Sequence, residues 1–181
     1  HLGEIGVKKV EWLLFTDHHR ELSQGVEKLD RSVTQIAAPK EEQAFFETPN
    51  AFRKWYPLLS DKFAVHGASY LRPPQQPVRV DRWHADGDVI EWHGRKIICH
   101  LTPGHSPGGM SFQLDDKLFF GGVMHDGAKM TNWFDTEWDY GFAKGLDALI
   151  ASVDKLIALE PKSAFSAQGP VIANAMSQLK I

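Results

Sequence analysis

Two short stretches carry most of the groups that could hold a metal ion or move a proton. The first is Asp17-His-His-Arg-Glu21, two adjacent histidines flanked by carboxylates, directly after the apolar run Val10-Glu-Trp-Leu-Leu-Phe-Thr16. The second is Thr102-Pro-Gly-His-Ser-Pro-Gly-Gly-Met-Ser-Phe112, where His105 stands between two prolines and among three glycines. Imidazole and carboxylate groups together form a ligand set for zinc, iron or manganese. The prolines and glycines of the second stretch predict a tight, pre-shaped loop whose only coordinating group is His105. Such a loop loses little entropy on binding an ion. Each stretch has a plainer reading as well. The first would be a polar loop in which Ser23 caps the next helix, and the second a hairpin corner with a surface histidine. A third group, His125 and Asp126 in Val123-Met-His-Asp-Gly127, is either the rim of a cleft or a solvated turn.

Ligands on loops must be held by strands and helices. The run 10–16 predicts a strand buried on both faces. It delivers residues 17–25 to its C-terminal end, where open α/β sheets carry their chemistry. Residues 1–9 read as the end of a helix. A short helix is predicted over 24–32 and a short strand over 33–37. A helical stretch over 39–46 opens with Pro39, Glu41 and Glu42 where a helix start prefers them. A second helix is predicted over 50–59, with Phe52, Trp55, Tyr56 and Leu59 on one face. Residues 60–77, with their three prolines, are too long for a simple connector and read as a functional loop or flap.

From Val78 the pattern changes. Short runs over 78–83, 89–92, 96–101, 110–114 and 118–121, separated by turn residues, predict an antiparallel series of strands. Trp133, Phe134, Trp138 and Tyr140 follow in a loop that is either buried lid packing or a surface for a substrate or partner. Residues 145–159 predict an amphipathic helix, with Leu146, Leu149, Ile150, Val153 and Leu156 on one face and Pro161 as its stop. A strand over 163–166 and a terminal helical stretch complete the order. It predicts one layered α/β domain over 1–181, with helices outside and sheet inside.

Composition bounds the function classes. The chain has 181 residues, 43% hydrophobic and 24% charged, as expected of a soluble globular domain with a substantial core. Its formal net charge of -3 argues for neither a nucleic-acid nor an anionic-membrane partner. Cys99 is the single cysteine, so no intrachain disulfide can form. No apolar run reaches membrane-spanning length. The expectation is a soluble protein, with the cytoplasm favoured over other compartments.

Taken in order, Thr16-Asp-His-His-Arg-Glu-Leu-Ser-Gln-Gly25, Asp86-Gly-Asp88 before paired strands, Thr102-Pro-Gly-His-Ser-Pro-Gly-Gly109, Leu118-Phe-Phe-Gly-Gly122 and Ser166-Ala-Gln-Gly-Pro-Val-Ile172 resemble the metallo-β-lactamase-fold hydrolases. The resemblance covers nearly the whole chain, and the His105 loop is its most specific part. It implies an αββα sandwich with a metal site at one edge of two sheets. It also implies that the strands normally preceding the first metal motif are absent, so that 1–181 is the C-terminal three quarters of the family fold. Such a fold leaves an open sheet edge, to be covered by a missing segment or a partner chain.

The departures from the family pattern shape the functional reading. The first motif, His-x-His-x-Asp-His, falls on Asp17, His19, Glu21 and Leu22. The loop histidine is kept as His105, the bridging aspartate falls on Gly122, and the last histidine falls on Gln168. Carried over position by position, the first metal keeps Asp17, His19 and His105, whereas the second is left with Glu21 alone. Leucine and glycine cannot coordinate, and a glutamine amide is a poor ligand. A two-metal hydrolytic centre is therefore not expected. Three readings remain. The domain is a catalytically inactive relative that binds a ligand or serves assembly. Or it is a mononuclear hydrolase of an ester, lactone or thioester, with one divalent ion (zinc, iron or manganese) on Asp17, His19 and His105 and Glu21 as general base. Or it uses cleft-rim groups, His18, His125 and Asp126. A small-molecule substrate or ligand is compatible with all three.

Overall fold

Short runs bounded by turn residues form two sheets in the computed structural model, which describes residues 2–53, 73–123, 141–167 and 169–179. The first sheet is parallel, in the order β1 (Trp12–Leu14), β2 (Gln35–Pro39), β3 (Arg82–His84). The second contains β4 (Val89–Trp92), β5 (Arg95–Leu101), β6 (Met110–Leu114), β7 (Lys117–Phe120) and β8 (Ser163–Ser166), side by side in that order. Neighbours in it are antiparallel except β7 and β8, which run parallel. The helices are α1 (Arg20–Ser23), α2 (Gln43–Glu47), α3 (Pro49–Arg53), α4 (Gly141–Ala158) and α5 (Ala175–Leu179). Helix α4 lies in the connection between β7 and β8, the crossover that a parallel pair requires.

Turn chemistry sets the register of the second sheet. Trp92 pairs with Arg95, leaving His93 and Gly94 as a two-residue loop, and both have positive φ (49° and 74°). That is the backbone demanded by the hairpin turn whose twist matches the strands. Past the end of α4, Glu160 adopts φ 49° immediately before Pro161, which stops the helix.

Three apolar clusters separate the layers. Leu149 and Leu156 of α4 pack on Leu118, Phe120 and Ala164 of β7 and β8. Phe46 of α2 packs with Phe15 and Ile36 beneath the first sheet. Between the sheets, Trp12 and Leu14 meet Ile90, Cys99, Met110 and Phe112. The result is the helix–sheet–sheet–helix layering that the order of elements predicts.

Several local expectations are corrected. Residues 2–6 form turns rather than a helix end. Only Val26–Lys28 is helical within 24–32, as one 3-10 turn. Asp30 then accepts hydrogen bonds from the Ser32 backbone and hydroxyl, a local turn that competes with helix. Residues 78–83 do not belong to the antiparallel series. Asp81 accepts from the Ile36 amide at 2.8 Å and pairs with Arg31, which docks β3 parallel to β2 in the other sheet. Ser23 ends α1, its Oγ donating to the Arg20 carbonyl, and does not cap a following helix. The rest of the helix predicted over 50–59, the flap up to residue 72 and the aromatic loop Trp133–Tyr140 lie outside the described residues.

Candidate metal site

A backbone hydrogen bond from Met110 N to Thr16 O, 2.7 Å, joins the start of β6 to the segment just after β1, although the two belong to different sheets. The loop leaving β1 and the loop entering β6 therefore lie side by side. The second loop is braced on all sides. Thr102 N donates to Gly109 O at 2.6 Å, Gly104 N to Ser106 O at 3.1 Å, and Ser152 Oγ to Pro103 O at 2.7 Å. Gly104 has φ 135° and lies against Leu149 so closely that a Cβ there would sit 2.6 Å from the Leu149 Cα. Only glycine meets both demands.

These braces bring Asp17, His19 and His105 together, their ligand atoms within 4.8 Å of one another. Asp17 is buried (3% exposed). Its Oδ1 accepts from the His19 amide at 3.0 Å and from His19 Nδ1 at 2.7 Å, and its Oδ2 accepts from Thr16 Oγ1 at 3.0 Å. Burial alone would raise the Asp17 carboxyl, but the hydrogen bonds from His19 and the charges of His19 and His105 outweigh it and hold the group well below the usual carboxylate range. Asp17 is thus an anion at every physiological pH. In the neutral His19 ring, donation from Nδ1 to Asp17 leaves the lone pair on Nε2, the tautomer a metal-binding histidine needs. The His105 ring lies 4.5 Å from that of His19, centroid to centroid, tilted by 36°.

The donor set fits one divalent ion. One carboxylate and two imidazoles are hard-to-borderline ligands suited to zinc, iron or manganese. Bonds of about 2.0–2.2 Å require the donors, within 4.8 Å of one another, to draw closer around the ion. No second ion is provided for among the described residues. Leu22 packs against the Phe15–Ile36–Phe46 cluster. Gly122 lies beneath the His105 ring. Glu21 is exposed on the first turn of α1 and is not a member of the convergent set. Gln168, His125 and Asp126 lie outside the described residues.

His18 is not a rim residue: it is fully buried, and its Nδ1 donates to Glu42 Oε2 at 2.9 Å. Sequence reasoning places Glu42 at a helix start and gives it no part in the site. The only local hint is its neighbourhood, two apolar positions (Phe45, Phe46) three and four residues on, which put Glu42 on the inward face of the same turn. Beside the site, an apolar crevice of about 430 Å³ runs between the sheets, lined by Leu13, Phe15, Leu22, Phe119 and Phe165, with Thr16 at its wall next to Asp17.

No family model matches the chain. The uncharacterized proteins Rv2581c of Mycobacterium tuberculosis (strain ATCC 25618 / H37Rv) and Mb2612c of Mycobacterium bovis (strain ATCC BAA-935 / AF2122/97) are each 32% identical to it over 103 residues, 53% of this chain and 42% of theirs. The chain thus spans under half the length of these relatives. The metallo-β-lactamase family protein TTHA1429 from Thermus thermophilus superimposes on 99% of this chain and 62% of its own, with a TM-score of 0.67 and 24% identity. The BLEG-1 B3 metallo-β-lactamase covers 97% of this chain and 77% of its own, with a TM-score of 0.66 and 18% identity. TTHA1623 in a di-iron-bound form covers 92% and 74%, with a TM-score of 0.60 and 20% identity. This chain has the metallo-β-lactamase fold and is shorter than these neighbours.

Proposed function

We propose that this domain of metallo-β-lactamase fold binds a single divalent ion through Asp17, His19 and His105 and does not carry out two-metal hydrolysis. The convergence of those three donors within 4.8 Å carries the reading. The chemistry of the other positions supports its second half, since Leu22 and Gly122 offer no donor atom whatever their geometry.

A bound divalent ion supplies Lewis acidity, polarising a carbonyl and acidifying water. The chain's own contribution is orientation. Asp17 keeps the proton of His19 on Nδ1, and the braced loop holds His105 with little freedom to lose. Three protein ligands also leave coordination positions open, the arrangement of catalytic rather than structural sites. That feature favours a second reading, hydrolysis of an ester, lactone or thioester with Glu21 as the base. Glu21 would have to turn inward from the surface of α1 to take that role.

Elemental analysis of protein purified without chelators or metal-affinity resin tests the first reading. The expected result is about one zinc, iron or manganese per chain, lost in Asp17→Ala and in His105→Ala. Metal-free protein that takes up no zinc on incubation would remove the basis for both readings. Turnover of ester, lactone or thioester substrates, abolished by His19→Ala and by Glu21→Gln, would select the hydrolase. Metal binding without turnover would leave a ligand-binding or assembly domain.

A further inference from the structure

Glu42 has no exposed surface and closes the 3-10 turn immediately before α2. Its carboxylate is surrounded by donors from both ligand-bearing loops. Oε2 accepts from His18 Nδ1 at 2.9 Å. Oε1 accepts from the Gly108 amide at 3.0 Å and from Ser106 Oγ in a short contact. Gly108 packs so tightly on this side chain that a Cβ there would lie 2.5 Å from the Glu42 Cγ. His18 precedes His19 in the chain and is held between two rings. It stacks on Phe45 at 4.1 Å and on His19 at 4.8 Å, with interplanar angles of 14° and 18°. Ser106 follows His105 directly.

We infer that Glu42 is a positioning residue whose buried carboxylate clamps the His19 loop to the His105 loop and so sets the spacing of the two imidazoles. The inference rests on the single-ion reading above. A carboxylate is needed because all three neighbours donate and only an acceptor-only group satisfies them. Glutamine would turn an NH2 toward one of those donors, so that either His18 gives up its Nδ1 proton or a buried donor faces a donor. Direct hydrogen-bond partners of metal ligands are typically worth about 10–100-fold in metal affinity; Glu42 acts one residue removed, through His18 beside His19 and Ser106 beside His105.

Zinc affinity by chelator competition, and the visible absorption of the cobalt(II)-loaded chain, test it. Glu42→Gln is expected to raise the zinc Kd at least tenfold and to shift the cobalt bands. Ser106→Ala, a milder change at the same carboxylate, is expected to move both readouts the same way by a smaller factor. Leu156→Val, in the α4 core, serves as the control: it lowers the melting temperature and leaves both readouts at wild-type values. Glu42→Gln and Ser106→Ala proteins with wild-type zinc Kd and cobalt spectrum, however far their melting temperatures fall, overturn the clamp and leave the single-ion reading standing. If Glu42→Gln does not fold, an unchanged Kd and spectrum in Ser106→Ala overturns it alone. A wild-type chain that takes up neither zinc nor cobalt overturns both.

Discussion

The imidazole of His105 lies directly over the backbone of Gly122, with three ring atoms inside the space that a Cβ on Gly122 would occupy. The lack of a carboxylate at this position and the placement of the histidine are therefore one structural feature. A carboxylate placed here would compete with the His105 ring for the same space. Gly122→Asp is expected to push His105 aside, to weaken zinc binding at least tenfold, and to bind no more than one ion per chain, even when combined with Leu22→His. Metal stoichiometry by plasma mass spectrometry checks this, and two ions per chain would contradict it.

Gly121 bears on the same site from the other side. A Cβ there would lie 2.5 Å from Thr16 Oγ1 and 2.8 Å from Asp17 Oδ2. Gly121→Ala is expected to displace Asp17, with overpacking costing about 1–3 kcal/mol in urea unfolding. Zinc affinity is expected to drop alongside. Unchanged affinity in a destabilised protein would show that Asp17 is not a ligand.

Cys99 is fully buried between the sheets, and burial, followed by the charges of Asp88 and Asp86, pushes its thiol up to about 12. The thiolate is the reactive form. Disulfide-exchange reagents are expected to label native protein on the order of 100-fold more slowly than urea-unfolded protein. Equal rates would mean that the inter-sheet layer opens freely.

Asp86 accepts from the Leu101 amide at 2.7 Å and pairs with Lys155 of α4, tying the entry of the His105 loop to the helix. Burial opposes ionisation there, but the hydrogen bonds from Lys155 and Leu101 prevail and lower its carboxyl. A depressed folded value means that the contribution is complete above the unfolded carboxylate range, near about 3.9, and is lost as pH falls through the folded value. Asp86→Asn is expected to cost about 0.5–1 kcal/mol at pH 7, a figure reduced for solvent screening of this half-exposed pair. As pH falls below the unfolded carboxylate range toward the lowered folded value, the gap to wild type should narrow. Urea unfolding at pH 7, 4 and 3 measures it, and a gap that widens toward acid would reverse the assigned sign.

Legibility in the sequence follows the range of the interactions. The antiparallel strands over 89–101, 110–114 and 118–120 are readable because period, length and turn residues are all local signals. The strand beginning near residue 78 is not readable in the same way, and local pattern assigns it to the wrong series. Its true partner, β2, is chosen by Asp81 reaching the Ile36 amide and Arg31, contacts far away in the chain. Glu42 illustrates the same limit: Phe45 and Phe46 hint that it faces inward, but its three donors come from residues 18, 106 and 108, far away in the chain.

The donor inventory belongs to the sequence by itself. Leu22 and Gly122 cannot coordinate an ion in any fold, and Asp17, His19 and His105 can, because that capacity resides in side-chain chemistry. The layered α/β order also belongs there, written in apolar periodicity. Tertiary structure alone decided that the three donors converge, that His18 is buried rather than at a rim, that Glu21 stands outside the cluster, and that His105 fills the space above Gly122. Each of these depends on two loops from different sheets meeting at one edge, and through-space packing of that kind leaves no periodic trace along the chain.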